Sequence, residues 1–176
     1  PRGKVLGGSS INGMVYVRGQ ALDYDTWAQR GNRGWSYAEV LPYFMKSEHR
    51  EGAASPFHGQ GGPLNVADVG ETDPVLDTLI ESAETLGYPH NPDYNGESQE
   101  GFGYFQVTQR ASRRHSTARA FLKPAESRPN LHLLTDAHVK RVLFSGRRAI
   151  GVEFDRAGEA TGVRARRETL LSAGAV

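Results

Sequence analysis

The sequence predicts a mixed α/β fold, in which helical segments in the first two thirds precede a β-rich final third. One long segment, from Pro74 to about Leu86, repeats apolar residues at the three- and four-residue spacing of an amphipathic helix. From residue 131 onwards, short apolar runs alternate with turn residues, which is typical of β-strands. Near the start, "GKVLGGSSINGMVYVRG" (3–19) forms a glycine–serine loop whose backbone N–H groups could meet an anion or the edge of a ring.

Two helices are expected before residue 50. "DYDTWAQRG" (23–31) has Asp23 as a candidate N-cap and a glycine just past its end. The next segment begins with Ser36 and Glu39 at the spacing of a capping box. Pro42 lies inside the apolar pattern of this second helix and is expected to kink or divide it.

The helix from Pro74 to about Leu86 carries the clearest signals. Asp73 is its expected cap, Pro74 takes the first helical position and Gly87 ends it. Its apolar residues share one face, so we expect this face to be buried against a sheet or another helix. They are Val75, Leu76, Leu79, Ile80, Ala83 and Leu86.

Strands are expected at several places in the chain. "LNV" (64–66) is a short candidate and "YFQVTQ" (104–109) a longer one, and a short helix is expected at 116–122, capped by Ser116. The final third contributes four runs, at 131–135, 138–144, 149–154 and 163–173. The last of these becomes wholly apolar, which favours burial on both faces, as in a central parallel sheet.

The composition excludes several classes of protein. The net charge is +1, from 21 basic and 20 acidic residues, so no overall field favours nucleic acid or an anionic membrane. No cysteine is present, which excludes disulfides, thiolate metal sites and a cysteine nucleophile and fits a cytoplasmic protein. Peripheral association of the longer protein with a membrane is left open. No run is apolar for the length of a bilayer span. Because both ends read like the interior of a domain, we expect the chain to be an internal piece of a longer protein.

The motifs of several common enzyme classes are missing from the sequence. It has no Walker A loop, no dinucleotide fingerprint and no Gly-x-Ser-x-Gly elbow, and its six histidines lack zinc-ligand spacing. We therefore assign no catalytic residue and no metal ligand. Four arginines, Arg110, Arg113, Arg114 and Arg119, leave open a phosphate- or nucleic-acid-binding module. A tight surface turn without function also explains an isolated Gly-Gly-Ser-Ser.

Taken in order, the segments resemble the glucose–methanol–choline (GMC) family of flavin-dependent oxidoreductases, and within it the alcohol and choline dehydrogenase branch. The resemblance covers essentially the whole chain. It is carried by "PRGKVLGGSSINGMVYVRG", "DYDTWA", "GWSYAEVLPYF", "FHGQGGPLNV", "YNGESQEGFGYFQVTQR", "RRHSTARAFLKPAESRPNLHLLTDAHVKRVLF" and "ETLLSAGAV". Each segment is weakly specific alone, whereas their succession is strongly specific.

The resemblance implies FAD as cofactor and a small-molecule alcohol as substrate, with no nucleic-acid partner and no identified electron acceptor. A histidine outside this chain would take the hydroxyl proton while hydride passes to flavin N5. Residues 1–35 would be the flavin-binding loop and following turn of the FAD domain. Residues 36–128 would be a helical segment with part of an antiparallel-sheet substrate lobe, and 129–176 a β-rich part of the FAD-binding domain, the whole truncated at both ends. A non-catalytic relic of such an enzyme is the remaining alternative.

The resemblance also implies ten cofactor-binding residues. The loop would lie along the cofactor, its Asn-Gly pair would reach the isoalloxazine ring, a strand backbone would meet the adenine, and a later strand end would lead to the cofactor. The residues are Gly7, Gly8, Ser9, Ser10, Asn12, Gly13, Val15, Val139, Ala173 and Gly174. Family members usually carry one more residue between the serine pair and the apolar–Asn step, so the shorter loop here changes which N–H groups face inward.

Overall fold

The computed structural model describes residues 7–174. The chain forms two compact units, which divide between Glu126 and Ser127. This division lies two residues before the expected boundary at 128/129, while the assignment of 1–35, 36–128 and 129–176 to enzyme domains stays a prediction. None of the helices formed by residues 7–174 has the length and apolar character needed to span a bilayer.

The first unit begins with two helices, α1 (Ala21–Gln29) and α2 (Tyr37–Ser47). The expected N-cap of α1 was wrong: the cap is Gln20, and the carboxylate of Asp23 accepts the Gln20 N–H at 2.9 Å from inside the first turn. The capping box of α2 is confirmed, with the Ser36 N–H donating to Glu39 at 3.0 Å. Pro42 does not divide α2, because it removes only one N–H from a helix whose other turns remain bonded.

Short strand pairs connect the rest of the first unit. Strands β1 (Glu48–Arg50) and β2 (Leu64–Val66) are parallel, and the prediction of 64–66 is confirmed. Strands β3 (Gln109–Arg110) and β4 (Arg113–Arg114) form a small antiparallel hairpin. The strand predicted at 104–109 is mostly wrong, because Val107 makes only single bridges, to Val15 and Ala67, before β3 begins.

The short helix predicted at 116–122 is a π-helical turn, Ala118–Leu122, followed by a 3₁₀ turn, Lys123–Ala125. The hydroxyl of Ser116 accepts the Arg119 N–H at 3.4 Å, while the residue directly before the π-helical turn is Thr117. The π-helical turn ends at Leu122, and Pro124 is contained in the 3₁₀ turn that follows it. The different hydrogen-bond spacing of these turns is not encoded by the apolar pattern that predicted an ordinary α-helix.

Helix α3 (Pro74–Thr85) has the predicted bounds, and its cap is confirmed because Asp73 accepts the Val75 N–H at 2.8 Å. The predicted burial of its apolar face was wrong. Ala83 is buried, but Leu79 is 57% exposed and Val75 75% exposed. Helix capping depends on local bonds alone, whereas burial needs a second element. Within residues 7–174, only Ile80 and Ala83 of this face are covered, Ile80 in part.

The second unit is an antiparallel sheet of β5 (Ala137–Ser145), β6 (Arg148–Arg156) and β7 (Glu159–Arg164). It confirms the runs predicted at 138–144 and 149–154. Residues 131–135 are irregular, so that predicted strand was wrong. The last predicted strand was also wrong beyond Arg164, since the apolar residues near 170 are exposed and pair with no strand among the described residues.

A charge cluster of Arg18, Glu48, His58 and Asp93 occupies the interior of the first unit. Glu48 is completely buried and Arg18 is 5% exposed. The Arg18 guanidinium donates to the Glu48 carboxylate at 2.7 Å, and the His58 Nδ1 lies 3.2 Å from the same carboxylate. The other ring nitrogen of His58 lies 2.8 Å from Asp93. Buried charges are tolerated only when paired in this way.

Backbone and amide groups complete the bonding of the charge cluster. The Gly59 N–H donates to Glu48 at 2.9 Å, and Gln106 donates its side-chain amide to Asp93 at 2.7 Å. A Cβ at Gly59 would lie 1.8 Å from the carbonyl oxygen of Met45, so only glycine allows this approach. The cluster thereby joins the end of α2 to two loops that are distant in sequence.

Hydrogen bonding holds both members of the His58–Asp93 pair in their charged forms. The bond to Asp93, followed by that to Glu48, raises the pKa of His58 to about 9. Burial by itself would raise the pKa of Asp93, but the bonds from His58 and Gln106 lower it to about 2. Folding therefore favours the imidazolium and the carboxylate together.

The pKa shifts of this pair predict a pH window for stability. The contribution of His58 is fully present below its ordinary pKa of 6.5 and is lost as the pH rises towards 9. The contribution of Asp93 is present above its ordinary 3.8 and is lost as the pH falls towards 2. The free energy of unfolding, measured by urea titration across this range, should be highest between about pH 4 and about pH 6.5.

His58→Gln should have a lower free energy of unfolding than the wild type near neutral pH. It should also lose most of the decline in that free energy as the pH rises towards 9. His132→Gln, an exposed position in the second unit, is the matched control and should keep the wild-type profile. An unchanged alkaline decline in His58→Gln would show that another group titrates there.

The exposure of helix α3 predicts that two aspartate substitutions differ in their effect on the free energy of unfolding. Leu79→Asp should change the free energy of unfolding by less than about 1 kcal/mol, because its side chain already contacts water. Ala83→Asp should cost about 3 kcal/mol, because a charge would enter a buried position. Thermal unfolding of both variants, with exposed Glu81→Lys as a control, measures the difference. Equal losses at positions 79 and 83 would contradict the observed face.

Candidate functional site

Residues 7–15 of the glycine–serine segment 3–19, to which the name glycine–serine loop is restricted from here on, open with a 3₁₀ turn, Gly8–Ser10. The carbonyl of Gly8 accepts two N–H groups, from Ile11 at 2.9 Å and from Asn12 at 2.8 Å. These two bonds close the turn that precedes Gly13. Two donors that the sequence suggested for a ligand are thus used within the loop itself.

The loop ends in a segment that is tied to residues 106–108. Met14 has a φ of 67°, a left-handed conformation that is unfavourable for residues other than glycine. It is held there because the Met14 N–H donates to the Asn12 side chain at 3.1 Å and the Met14 carbonyl accepts the Thr108 N–H at 2.8 Å. The Tyr16 N–H then donates to the Gln106 carbonyl at 2.8 Å. The stem of the loop is therefore fixed next to the charge cluster.

The tip of the loop is bound by residues 114–117. The Ser9 and Thr117 hydroxyls are 2.7 Å apart, and the Thr117 N–H donates to the Ser9 hydroxyl at 3.1 Å. Arg114 donates one guanidinium nitrogen to the Ser9 carbonyl at 3.0 Å and to the Asn12 side-chain oxygen at 3.3 Å. The sequence interpretation considered Arg114 only as part of a phosphate- or nucleic-acid-binding cluster and gave Thr117 no role.

The opposite side of the loop is open. Ile11, Asn12, Gly13 and Val15 are all exposed. A Cβ at Gly13 would have no atom within 4 Å. Within residues 7–174, the Gly13 N–H and the Asn12 side-chain NH₂ make no hydrogen bond. The exposed part of the loop thus carries two apolar side chains, free space at Gly13 and two donors without a partner among residues 7–174.

The structure brings together seven of the ten predicted cofactor-binding residues in this one loop. They are Gly7, Gly8, Ser9, Ser10, Asn12, Gly13 and Val15. Val139 lies in β5, paired with Phe154 of β6, and its side chain is half-exposed. Ala173 and Gly174 follow the sheet in the irregular end of the second unit.

His115 lies between Arg114 and Ser116 and performs a structural task. Its Nδ1 accepts the Asn65 N–H from β2 at 3.1 Å, which requires that nitrogen to be unprotonated. Burial, followed by the charges of Arg110 and Arg119, lowers the pKa of His115. No group of three or more histidine, aspartate or glutamate side chains in residues 7–174 is arranged to hold a metal ion.

The sequence is similar to a known protein family and to individual members of it. The GMC oxidoreductase family model matches residues 1–176. The chain is 46% identical over 177 residues to an oxygen-dependent choline dehydrogenase of Brucella ovis, covering 100% of this chain and 32% of that protein. It is 47% identical over 174 residues to one of Rhizobium etli, covering 98% and 32%. The chain thus spans about a third of the length of these relatives.

Solved structures share the fold. An FAD-dependent oxidoreductase from Chaetomium thermophilum has a TM-score of 0.82 at 33% identity, over 91% of this chain and 30% of that one. Pyridoxine 4-oxidase from Mesorbium loti has a TM-score of 0.83 at 30% identity, over 90% and 32%. The resemblance seen in the sequence is confirmed: the chain belongs to the GMC oxidoreductase family.

Proposed function

We propose that this chain is part of an FAD-dependent oxidoreductase that oxidises the CH–OH group of a small alcohol of the choline type. The observation that carries the proposal is the open side of the glycine–serine loop, where donors and apolar side chains stand together. Its 46% identity to oxygen-dependent choline dehydrogenase supports the substrate class. The likeness to an FAD-dependent oxidoreductase from Chaetomium thermophilum supports the cofactor.

The residues of the loop fit a flat heteroaromatic ring. Such a ring needs an approach without side chains, and the space at Gly13 provides one. It also needs apolar contacts for its faces, which the exposed Ile11 and Val15 side chains can supply. Its polar edge needs donors, for which the Gly13 N–H and the Asn12 NH₂ are available. The loop thus matches both the apolar and the polar surface of a flavin.

In this proposal, each part of the chain has a role towards the cofactor. When bound, FAD supplies the acceptor for the hydride that leaves the alcohol carbon. Asn12 and Gly13 orient the ring, and their donors stabilise the negative charge that develops on it. Gly7, Gly8, Ser9 and Ser10 shape the loop, Val139 contributes backbone near the adenine, and Ala173 and Gly174 lead towards the cofactor.

The proton of the alcohol requires a base, which we assign to a histidine outside this chain. His115 is a poor candidate because its Nδ1 is bonded to the β2 backbone, and because burial, followed by the charges of nearby arginines, lowers its pKa. We also assign the protein to the cytoplasm, which agrees with the absence of cysteine. The electron acceptor is left open between oxygen and another oxidant.

Gly13→Val in the full-length gene product that carries this chain should abolish FAD retention. A Cβ at Gly13 would have no atom of the chain within 4 Å, so the substitution should block the ligand and spare the fold. The measurement is the ratio of flavin to protein absorbance after purification.

Gly70→Val is the matched control, because a Cβ at Gly70 also has no atom within 4 Å and Gly70 lies outside the loop. It should retain FAD like the wild type. A normal flavin ratio in Gly13→Val would remove Gly13 from the cofactor site.

The 176-residue chain expressed alone should oxidise no alcohol, even with excess FAD. The proposed base is not part of it, and loss of a general base alone costs about 100-fold to 10,000-fold in rate. A dye-reduction assay with choline, ethanol, octanol and benzyl alcohol provides the test. Turnover that disappears in His115→Ala would show that the base is His115 and that our assignment is wrong.

A further inference from the structure

We propose that Arg114, supported by Thr117, is a positioning residue that fixes the side-chain amide of Asn12 for contact with the cofactor. This inference rests on the proposed FAD function. It starts from the contacts at the tip of the glycine–serine loop, where Arg114 reaches across 102 residues of sequence to Asn12 and 105 to Ser9. Tertiary bonds over such separations fix a loop that has few bonds of its own.

The first argument concerns the orientation of the Asn12 amide. Its side-chain oxygen accepts the Met14 N–H at 3.1 Å and an Arg114 guanidinium N–H at 3.3 Å. Only the oxygen can accept two donors, so these bonds decide which end of the amide faces inward. The NH₂ group is thereby directed away from both donors, and within residues 7–174 it has no partner. Loss of Arg114 would remove one of the two bonds that set this direction.

The second argument concerns the shape of the loop. Met14 is held at a positive φ, and one of the bonds holding it runs to the same Asn12 oxygen. Arg114 and Thr117 also bind the carbonyl and the hydroxyl of Ser9, at the first turn of the loop. Both ends of the segment from Ser9 to Met14 are therefore restrained before any ligand binds. A restrained site binds more tightly, because less conformational freedom is lost on binding.

The third argument is the contrast with the neighbouring arginine. Arg113 lies in the same strand, β4, and carries the same charge, but its side chain is exposed. Successive side chains of a strand point to opposite faces, so Arg113 and Arg114 are directed differently. Among the described residues Arg113 makes no hydrogen bond to the loop. It therefore reports the effect of losing a positive charge from this hairpin without loss of positioning.

The experiment uses the full-length gene product, with FAD removed and titrated back while flavin fluorescence is followed. Arg114→Gln should weaken FAD binding on the order of tenfold, the loss expected for a hydrogen bond from a charged donor. Arg114→Lys should recover part of this loss, and Arg113→Gln should bind like the wild type. The thermal midpoint of each apoprotein separates weaker binding from general loss of structure.

The interaction between Arg114 and Asn12 is tested by combining substitutions. If Arg114 acts through the amide, Arg114→Gln should weaken binding much less in an Asn12→Ala background than in the wild type. Should Arg114→Gln fail to fold, Thr117→Val tests the same restraint, with binding restored in Thr117→Ser.

The outcomes distinguish the two proposals. Equal FAD affinity in Arg114→Gln and Arg113→Gln, or equal effects of Arg114→Gln in both backgrounds, would overturn the positioning role alone. A wild-type protein that binds no FAD would overturn the proposed function.

Discussion

The buried Arg18–Glu48 ion pair is the constraint on which the first unit depends. Removing two charges from water costs several kcal/mol for each ion, and the cost is offset only if every remaining bonding position is filled. Here His58 and the Gly59 N–H fill the positions on Glu48 that Arg18 leaves, and the Phe57 carbonyl accepts a second guanidinium bond at 2.7 Å. The arrangement is complete only when three separate parts of the chain are all in place.

The same ion pair determines where the glycine–serine loop can lie. Arg18 follows the loop by three residues, so its fixed position restrains the stem through Tyr16 and the bridge at Val15. The tip is restrained differently, by hydrogen bonds of Arg114 and Thr117 near the surface. Breaking a buried hydrogen bond costs more free energy than breaking an exposed one, because water partly replaces the exposed bond. Substitutions in the stem should therefore act mainly on folding, and substitutions at the tip mainly on the ligand.

The sequence predicted those features that depend on neighbouring residues. The cap at Asp73, the capping box at Ser36 and the paired strands around residues 138–154 all depend on local bonds or alternation, and the structure confirms them. The role of His58 was not predicted, because its partners lie 10 and 35 residues away and no spacing marks them. The same reason applies to Arg114, whose contacts to the loop span more than 100 residues. The run of arginines indicated positive charge but not which residues each side chain contacts.

The wrong prediction for α3 shows what an amphipathic pattern contains. The apolar face indicates that burial would be favourable, by about 25 cal/mol per Å² of apolar surface. It does not indicate which other element of the protein would pack against it. Leu79 and Val75 are exposed in this structure, while Ala83 on the same helix is buried. Capping can be satisfied by one residue, whereas a buried face requires two surfaces. A sequence pattern therefore predicts the position of a helix better than the environment of its side chains.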